Sequence, residues 1–383
     1  MSCRSMFQIQ GKQSLPVSLP KTHEQERYLR LSSSAAAAAA CAFRRSKNAG
    51  ISFSKDAQSF AAPANHPGLR VTSAETTLTS PSTSITNTGW EEFSERVSGE
   101  WDGFGADFTV EGKPVELPES VVPDAYREWE VEVFDWQTQC PTLAHFNHDI
   151  PYFMYKAIKL LPTVGCEADA ATRYSVQERI ITPPHHSAIA YQSSGCYVSV
   201  WPISDYKIKS ANEVLELEHC LIDPRDKESR VRVIQVLGLN DSEVRLLNIK
   251  VFSEQWYGPF RNGDQLGGCA ISNYAFATTQ PLSGSKVAGS WQGVGAIATF
   301  HNTQNMIQHL GDEYSRKSIR DEGDLILLPK NLWCSIKKRE NKETDCEVGW
   351  LLDQGQAITS KCTFSSAAEV KEIAIAVETA TSV

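Results

Sequence analysis

One eight-residue frame occurs twice in this chain, and few folds accommodate it. Gly99-Glu100-Trp101-Asp102-Gly103-Phe104-Gly105-Ala106 returns near the far end as Gly289-Ser290-Trp291-Gln292-Gly293-Val294-Gly295-Ala296. Each copy reads Gly-x-Trp-x-Gly-x-Gly-Ala and runs on into residues that alternate like a strand. Glycines inside a strand let it bend and let neighbouring backbone come close. The tryptophan brings one large apolar side chain to close the end of a barrel. The Gly-x-Gly inside the frame does not make a dinucleotide site. Its sixth position holds Phe108 or Ala298, and the text that follows alternates where that fingerprint needs a helix.

The text before the first copy is of another kind. Residues 1–55 carry nine Lys/Arg against Glu24 and Glu26, a net +7, which leaves −16 of the overall −9 on the remainder. This leader is Ser/Ala-rich, with Ser32-Ser33-Ser34 before six alanines, and its start lacks the apolar core of a secretory signal. It has the composition of an organelle transit peptide in a plastid style. Residues 56–87, with Thr77-Leu78-Thr79-Ser80-Pro81, bury too little apolar surface to offset their ordering entropy and are expected to be a disordered linker. All nine tryptophans lie between Trp90 and Trp350. A folded part of charge −16 repels phosphate backbones, which argues against nucleic acid as a partner. No apolar run reaches the roughly 18 residues of a spanning helix, so membrane contact is expected only at the periphery, as at a thylakoid surface.

From residue 88 the pattern becomes periodic. Thr88 and Glu91 have capping-box spacing, and Trp90, Phe93 and Val97 follow at helical intervals, predicting a short helix that leads into the first frame. Alternation follows at Trp129/Val131/Val133, Tyr197/Ser199/Trp201, Leu215/Leu217, Arg230–Val233 and Glu243–Leu246. In the second portion strands are expected at 292–300, 324–328, 332–338, 348–352 and 372–378. Gly112-Lys113-Pro114, Asp223-Pro224-Arg225-Asp226, Asn240-Asp241 and Asn262-Gly263-Asp264 mark turns between them. Many short strands with few helices predict an all-β chain of antiparallel, barrel-like sheets with a helix plugging the entrance.

The ten cysteines include no Cys-x-x-Cys pair, so zinc-ribbon and thioredoxin-like spacings are absent and free buried thiols in a reducing compartment are expected. His145-x-x-His148-Asp149 is the nearest approach to a metal motif, but Asn147 and Pro151 make it a loop and no third distant ligand stands out. His219 and Cys220 adjoin on a strand and therefore point to opposite faces. His185-His186 follows two prolines and reads as an exposed loop. No Gly-x-Ser-x-Gly elbow and no Walker loop occurs. Neither a catalytic constellation nor a cofactor or metal site is indicated. The most unusual local text is Gln255-Trp256-Tyr257-Gly258-Pro259-Phe260-Arg261-Asn262-Gly263, which suits either a packed aromatic corner or a barrel mouth where Arg261 offers a fork to a carboxylate.

A helix followed by Gly-x-Trp on a first strand resembles the opening of a calycin barrel such as a lipocalin. From Trp90 onward the chain resembles an uncharacterised calycin-like family of plant plastids and cyanobacteria, a domain of unknown function. The matching stretches are Ser98–Gly103, Asp135–Thr142, Gly165–Tyr174 and Gln255–Gly263. That resemblance implies a plastid location and two calycin-like portions, and it brings no activity. The Trp-x-Gly-x-Gly text is also similar to haem-binding nitrobindin-type barrels, but those need a late axial histidine and none follows His309. Phycobiliprotein lyases are calycin barrels too, yet a plant plastid offers no phycobiliprotein for that reaction.

The expected organisation is a transit peptide (1–55), a linker (56–87), a first calycin-like barrel (88–283) and a shorter second β domain (284–383). The expected function is non-enzymatic binding of a hydrophobic plastid molecule, such as a tetrapyrrole, carotenoid or lipid, with Trp101, Arg173, Trp256, Tyr257, Arg261 and Trp291 as ligand-binding candidates. The alternative is a chloroplast assembly factor with a side-chain-filled barrel and a protein partner. An enzyme of pigment or lipid metabolism ranks last, having no motif.

Overall fold

The computed structural model describes residues 87–148, 150–162, 172–181, 188–202, 212–240, 243–264, 275–300, 307–353 and 355–381. The expected transit peptide, and the linker up to residue 86, lie outside them. Helix α1 (Asn87–Val97) comes first, with Trp90, Phe93 and Val97 fully buried along one side. The first run of strands is β1 (Glu100–Phe108), β2 (Asp135–Gln139), β3 (Thr142–Asn147), β4 (Ile150–Leu160), β5 (Arg173–Ile181), β6 (Ala188–Tyr191), β7 (Tyr197–Pro202), β8 (Asn212–Ile222), β9 (Ser229–Asn240) and β10 (Glu243–Gly258). The second run is β11 (Gly289–Thr299), β12 (Ile307–His309), β13 (Asp312–Arg320), β14 (Ile326–Leu328), β15 (Leu332–Lys338), β16 (Thr344–Asp353), β17 (Gln356–Phe364) and β18 (Val370–Ala380).

These strands make two sheets. One follows the order β12-β6-β7-β8-β9-β10-β1-β2-β4-β3, with β5 paired to β4; the other follows β13-β11-β18-β17-β16-β15-β14. The first sheet curls. The Tyr155 hydroxyl on β4 donates to Glu218 on β8 at 2.5 Å, and the Tyr155 and Trp201 rings meet at 5.9 Å, although five strand pairings separate β4 from β8. Helix α1 packs across this curl, with Phe93 against Phe153, Tyr191 and Tyr197. The result is a half-barrel stopped by a helix.

The second sheet lies against the outer face of the first. Val233 and Val251 share one apolar core with Val348 and Ile373. His219 on β8 meets the Ser360 hydroxyl on β17 at 2.8 Å, and Gln235 donates to the Ser335 carbonyl at 3.4 Å. Strand β12, although it follows the second frame, adds to the first sheet as a parallel partner of β6. The six described cysteines are free and buried.

Both frames fold alike. Gly99 and Gly289 hold φ of 144° and 115°, a conformation glycine adopts without strain. The indole N–H of Trp101 donates to the Val97 carbonyl at 2.9 Å, and that of Trp291 to the Val287 carbonyl at 2.7 Å, in each case four residues back. Gly103 sits opposite Glu254, and Gly293 opposite Glu378. A Cβ on Gly103 would run into the Ser253 carbonyl, and one on Gly293 into the Val377 carbonyl. The middle glycine is therefore required by backbone contact.

One expected strand is absent. Residues 128–133, which alternate Glu with Trp129, Val131 and Val133, join neither sheet; among the described residues their one backbone bond to another segment is from the Leu117 N–H to the Val133 carbonyl at 2.8 Å. A five-residue helix, α2 (Asp124–Glu128), ends there, Glu130 takes φ 53°, and the Val131 N–H folds back to the Tyr126 carbonyl. Trp129 is 61% exposed. The alternation has no sheet to serve. Conversely, β2 to β6, β12, β13 and β17 have no counterpart among the expected strands. Strand β17 is buried on both faces and so lacks alternation, and β13 carries arginines on its inner face.

Substitution Gly103→Ala is expected to destabilise the fold by about 1–3 kcal/mol or more, the cost of forcing extra volume into packed backbone. Gly323→Ala, where a Cβ meets nothing within 4 Å, should be nearly neutral. Urea unfolding of the two variants checks both.

Candidate functional site

On β8, β9 and β10 one residue in two faces the hollow of the first sheet, and many of these residues are charged. Glu216 and Glu218 come from β8, Arg230 and Arg232 from β9, Lys250 and Glu254 from β10. Arg232 forks onto Glu254, with Nη2 to Oε1 at 2.9 Å and Nε to Oε2 at 3.0 Å, and its Nη1 reaches Glu218 at 2.9 Å. Arg230 donates to Glu254 at 2.7 Å and lies 4.2 Å above the Trp101 ring. Glu218 also accepts from the Tyr197 hydroxyl and the Trp201 indole, each at 2.9 Å. All of these charged groups are fully buried except Glu216 and Lys250.

Burial alone would raise the pKa of a carboxyl here. The guanidiniums outweigh it: Arg230 and Arg232 hold Glu254 below the usual carboxylate range, as Arg232 and Arg179 do Glu218. Asp102 on β1 goes the other way. Burial first, and Glu100 beside it second, push it up to about 6. His219 is pushed down to about 3 by its burial between the sheets, and the Cys140, Cys196, Cys334, Cys346 and Cys362 thiols are pushed up by theirs. Cys220 points into the hollow, away from its neighbour His219.

Part of the hollow is left as a cleft. Between β4–β5 and β8–β10 a cavity of about 50 Å³ is lined by Thr138, Gln139, Lys159, Gln177, Arg179, Glu216 and Lys250, with Ala157, Ile158, Ile234 and Phe252 as apolar walls. Arg179 and Lys250 both pair with Glu216. These cleft residues stand outside the candidates drawn from the sequence. Of them only Glu216 belongs to the run of charges that changes sign from Glu216/Glu218 to Arg230/Arg232 and back to Glu254; the text of β2, β4 and β5 carries no signal for the rest.

The sequence candidates divide into three places. Trp101 is buried beneath Arg230. Arg173, Trp256 and Arg261 gather at the Asn262–Gly263 turn. The Arg173 guanidinium donates to the Gly263 carbonyl, the Arg261 backbone N–H donates to the Glu100 carboxylate, and the Trp256 indole donates to the Ser98 carbonyl at 3.2 Å. Tyr257, beside them, is half exposed. Trp291 belongs to the second sheet, under Arg320 and 6.4 Å from Trp333. His145 lies on β3, its Nδ1 2.8 Å from the Phe146 carbonyl, and His148 occupies the following turn; Asp149, His185 and His186 lie outside the described residues.

No family model and no curated protein matches this chain. Among solved structures, a protein of unknown function from the DUF3598 family of Nostoc punctiforme aligns with a TM-score of 0.43 at 10% identity, over 76% of this chain and 99% of that one. The Salmonella typhi outer membrane phospholipase dimer with bound calcium aligns at a TM-score of 0.16 and 6% identity, over 78% and 94%. Neither likeness carries a function to this chain. No helix among the described residues is long and apolar enough to cross a membrane.

Glu254→Gln should cost about 3–5 kcal/mol of stability, because it strands two buried guanidiniums; chemical denaturation measures it. A second expectation concerns pH. A carboxyl raised to about 6 in the fold contributes stability that is complete below its ordinary 3.8 and lost as pH rises through 6. The thermal midpoint of Asp102→Asn should therefore exceed that of the unmodified chain above pH 6, and the gap should close toward pH 4. Paired melting curves across that window, in which every other titration cancels, check the sign.

Proposed function

We propose that the chain is a non-enzymatic plastid protein that holds a small molecule at the cleft of its first sheet, the rest of the hollow being filled by its own side chains. The observation that carries this reading is the cavity of about 50 Å³ on the inner face of the first sheet. Pockets for drug-sized ligands measure about 300–1,000 Å³. The cleft therefore suits one arm or the head of a tetrapyrrole or lipid, with Ile158, Ile234 and Phe252 as its apolar walls. Submerged thiols and a neutral, buried His219 support binding over catalysis. The basic, Ser/Ala-rich leader supports the plastid, and the acidic remainder supports the absence of a nucleic-acid partner.

The second reading is an assembly factor that grips a protein partner. It draws on Trp129 and Tyr257, two aromatics 61% and 50% exposed. Native mass spectrometry with an absorption spectrum, on the chain isolated from plastids, separates the two. A stoichiometric bound mass that disappears in Ala157→Phe, which fills the cleft, is the expected result. A clean apo mass accompanied by a stoichiometric protein would replace this reading with the second.

A further inference from the structure

We infer that the cleft is an oxyanion site, taking the carboxylate or phosphate group of its ligand between Arg179, Lys250, Lys159 and Thr138. The inference rests on the reading of the cleft as a ligand site and adds the chemistry of what enters it.

Two buried donors in the cleft wall have no partner among the described residues: Arg179 Nη1 and Thr138 Oγ1. Both residues are more than nine-tenths buried, at 7% and 3% exposure, and both line the cavity. A buried donor left unmade costs the desolvation of that group, so such atoms in a packed protein call for an acceptor. The charge balance points the same way. Arg232 is committed to Glu218 and Glu254. That leaves Lys159, Arg179 and Lys250 facing the cleft, against Glu216 and, 3.9 Å from Lys159, Asp107. Three cations over two carboxylates leave one positive charge at the cleft.

The guanidinium is already fixed in direction. Its Nη2 holds Glu216 and its Cζ lies 5.1 Å from the centre of the Trp201 ring, so Nη1 is presented without further ordering. Burial, with Lys250 as a neighbouring cation, lowers the pKa of Lys159, and Asp107 only partly restores it; a bound anion would relieve that cost. The size agrees as well. About 50 Å³ has room for a group the size of one oxyanion.

The test is a thermal-shift and calorimetric titration of the whole chain with inorganic phosphate, acetate and octanoate, with chloride at matched ionic strength as the reference. A saturable rise in midpoint beyond chloride is expected. Phosphate alone acting would identify a free inorganic ion; octanoate acting while phosphate is silent would identify the head of an acidic amphiphile. Arg179→Lys keeps the charge but loses the fork, and should weaken binding about tenfold. Thr138→Val should raise the midpoint in anion-free buffer, because an unpartnered hydroxyl is removed, and yet weaken anion binding. A purely structural role for Thr138 would not move the two in opposite directions. Equal responses in both variants and the unmodified chain, or none to any probe, would overturn the inference. If a plastid ligand found by mass spectrometry binds both variants undiminished, the cleft remains a ligand site and the oxyanion assignment fails.

Discussion

A carboxylate buried opposite a glycine is the constraint on which this structure turns, and it is met twice. Glu254 faces Gly103, and Glu378 faces Gly293. A carboxylate withdrawn from water persists only if cations and donors replace the water. Arg230 and Arg232 do so in the first sheet; in the second, Arg320 binds Glu378 at 2.5 Å and Thr359 and Ser318 donate at 3.0 and 2.7 Å. Each arginine cluster in turn needs a surface, and the frame's tryptophan supplies it. Arg230 lies on Trp101, and Arg320 lies 5.4 Å from both Trp291 and Trp333. The glycine, the tryptophan and the distant glutamate form one unit, which is why the frame recurs as a block.

Such units are a poor source of stability, since two desolvated ions gain little over well-packed apolar residues. Their consequence is geometric. A hollow filled by forked hydrogen bonds has fixed side chains and little spare volume, so any ligand is confined to the point where the ionic packing stops. In the first sheet that point is the cleft where Arg179 has satisfied one side of its fork and not the other.

Much of the fold is legible in the sequence. The α1 spacing of Trp90, Phe93 and Val97, the two frames and the strands around Leu215 and Arg230 stand where periodicity puts them, because one face of each is apolar. The inner faces are harder to read. Glu216, Glu218, Arg230 and Arg232 carry the pattern of a solvated face, and a single strand's text contains nothing to say that charges of opposite sign wait on the next strand. The cleft depends on that cross-strand meeting, together with Lys159 and Arg179 from β4 and β5, so it exists only once the sheet curls. The error at Trp129–Val133 is the converse, alternation outside either sheet.

The two sheets repeat a chemistry without repeating a topology. In the first, the arginines stand on β9, beside the glutamate strand β10; in the second they stand on β13, across β11 from the glutamate strand β18. Arg316 and Arg320 therefore reach Glu347 on β16 across the hollow and draw its two sides together. In the first sheet β4 and β5 meet β8 across the hollow, through Tyr155 to Glu218 and Arg179 to Glu216, and the cleft lies between β5 and Lys250. The same ionic unit thus serves both sheets, and in the first it borders the cleft.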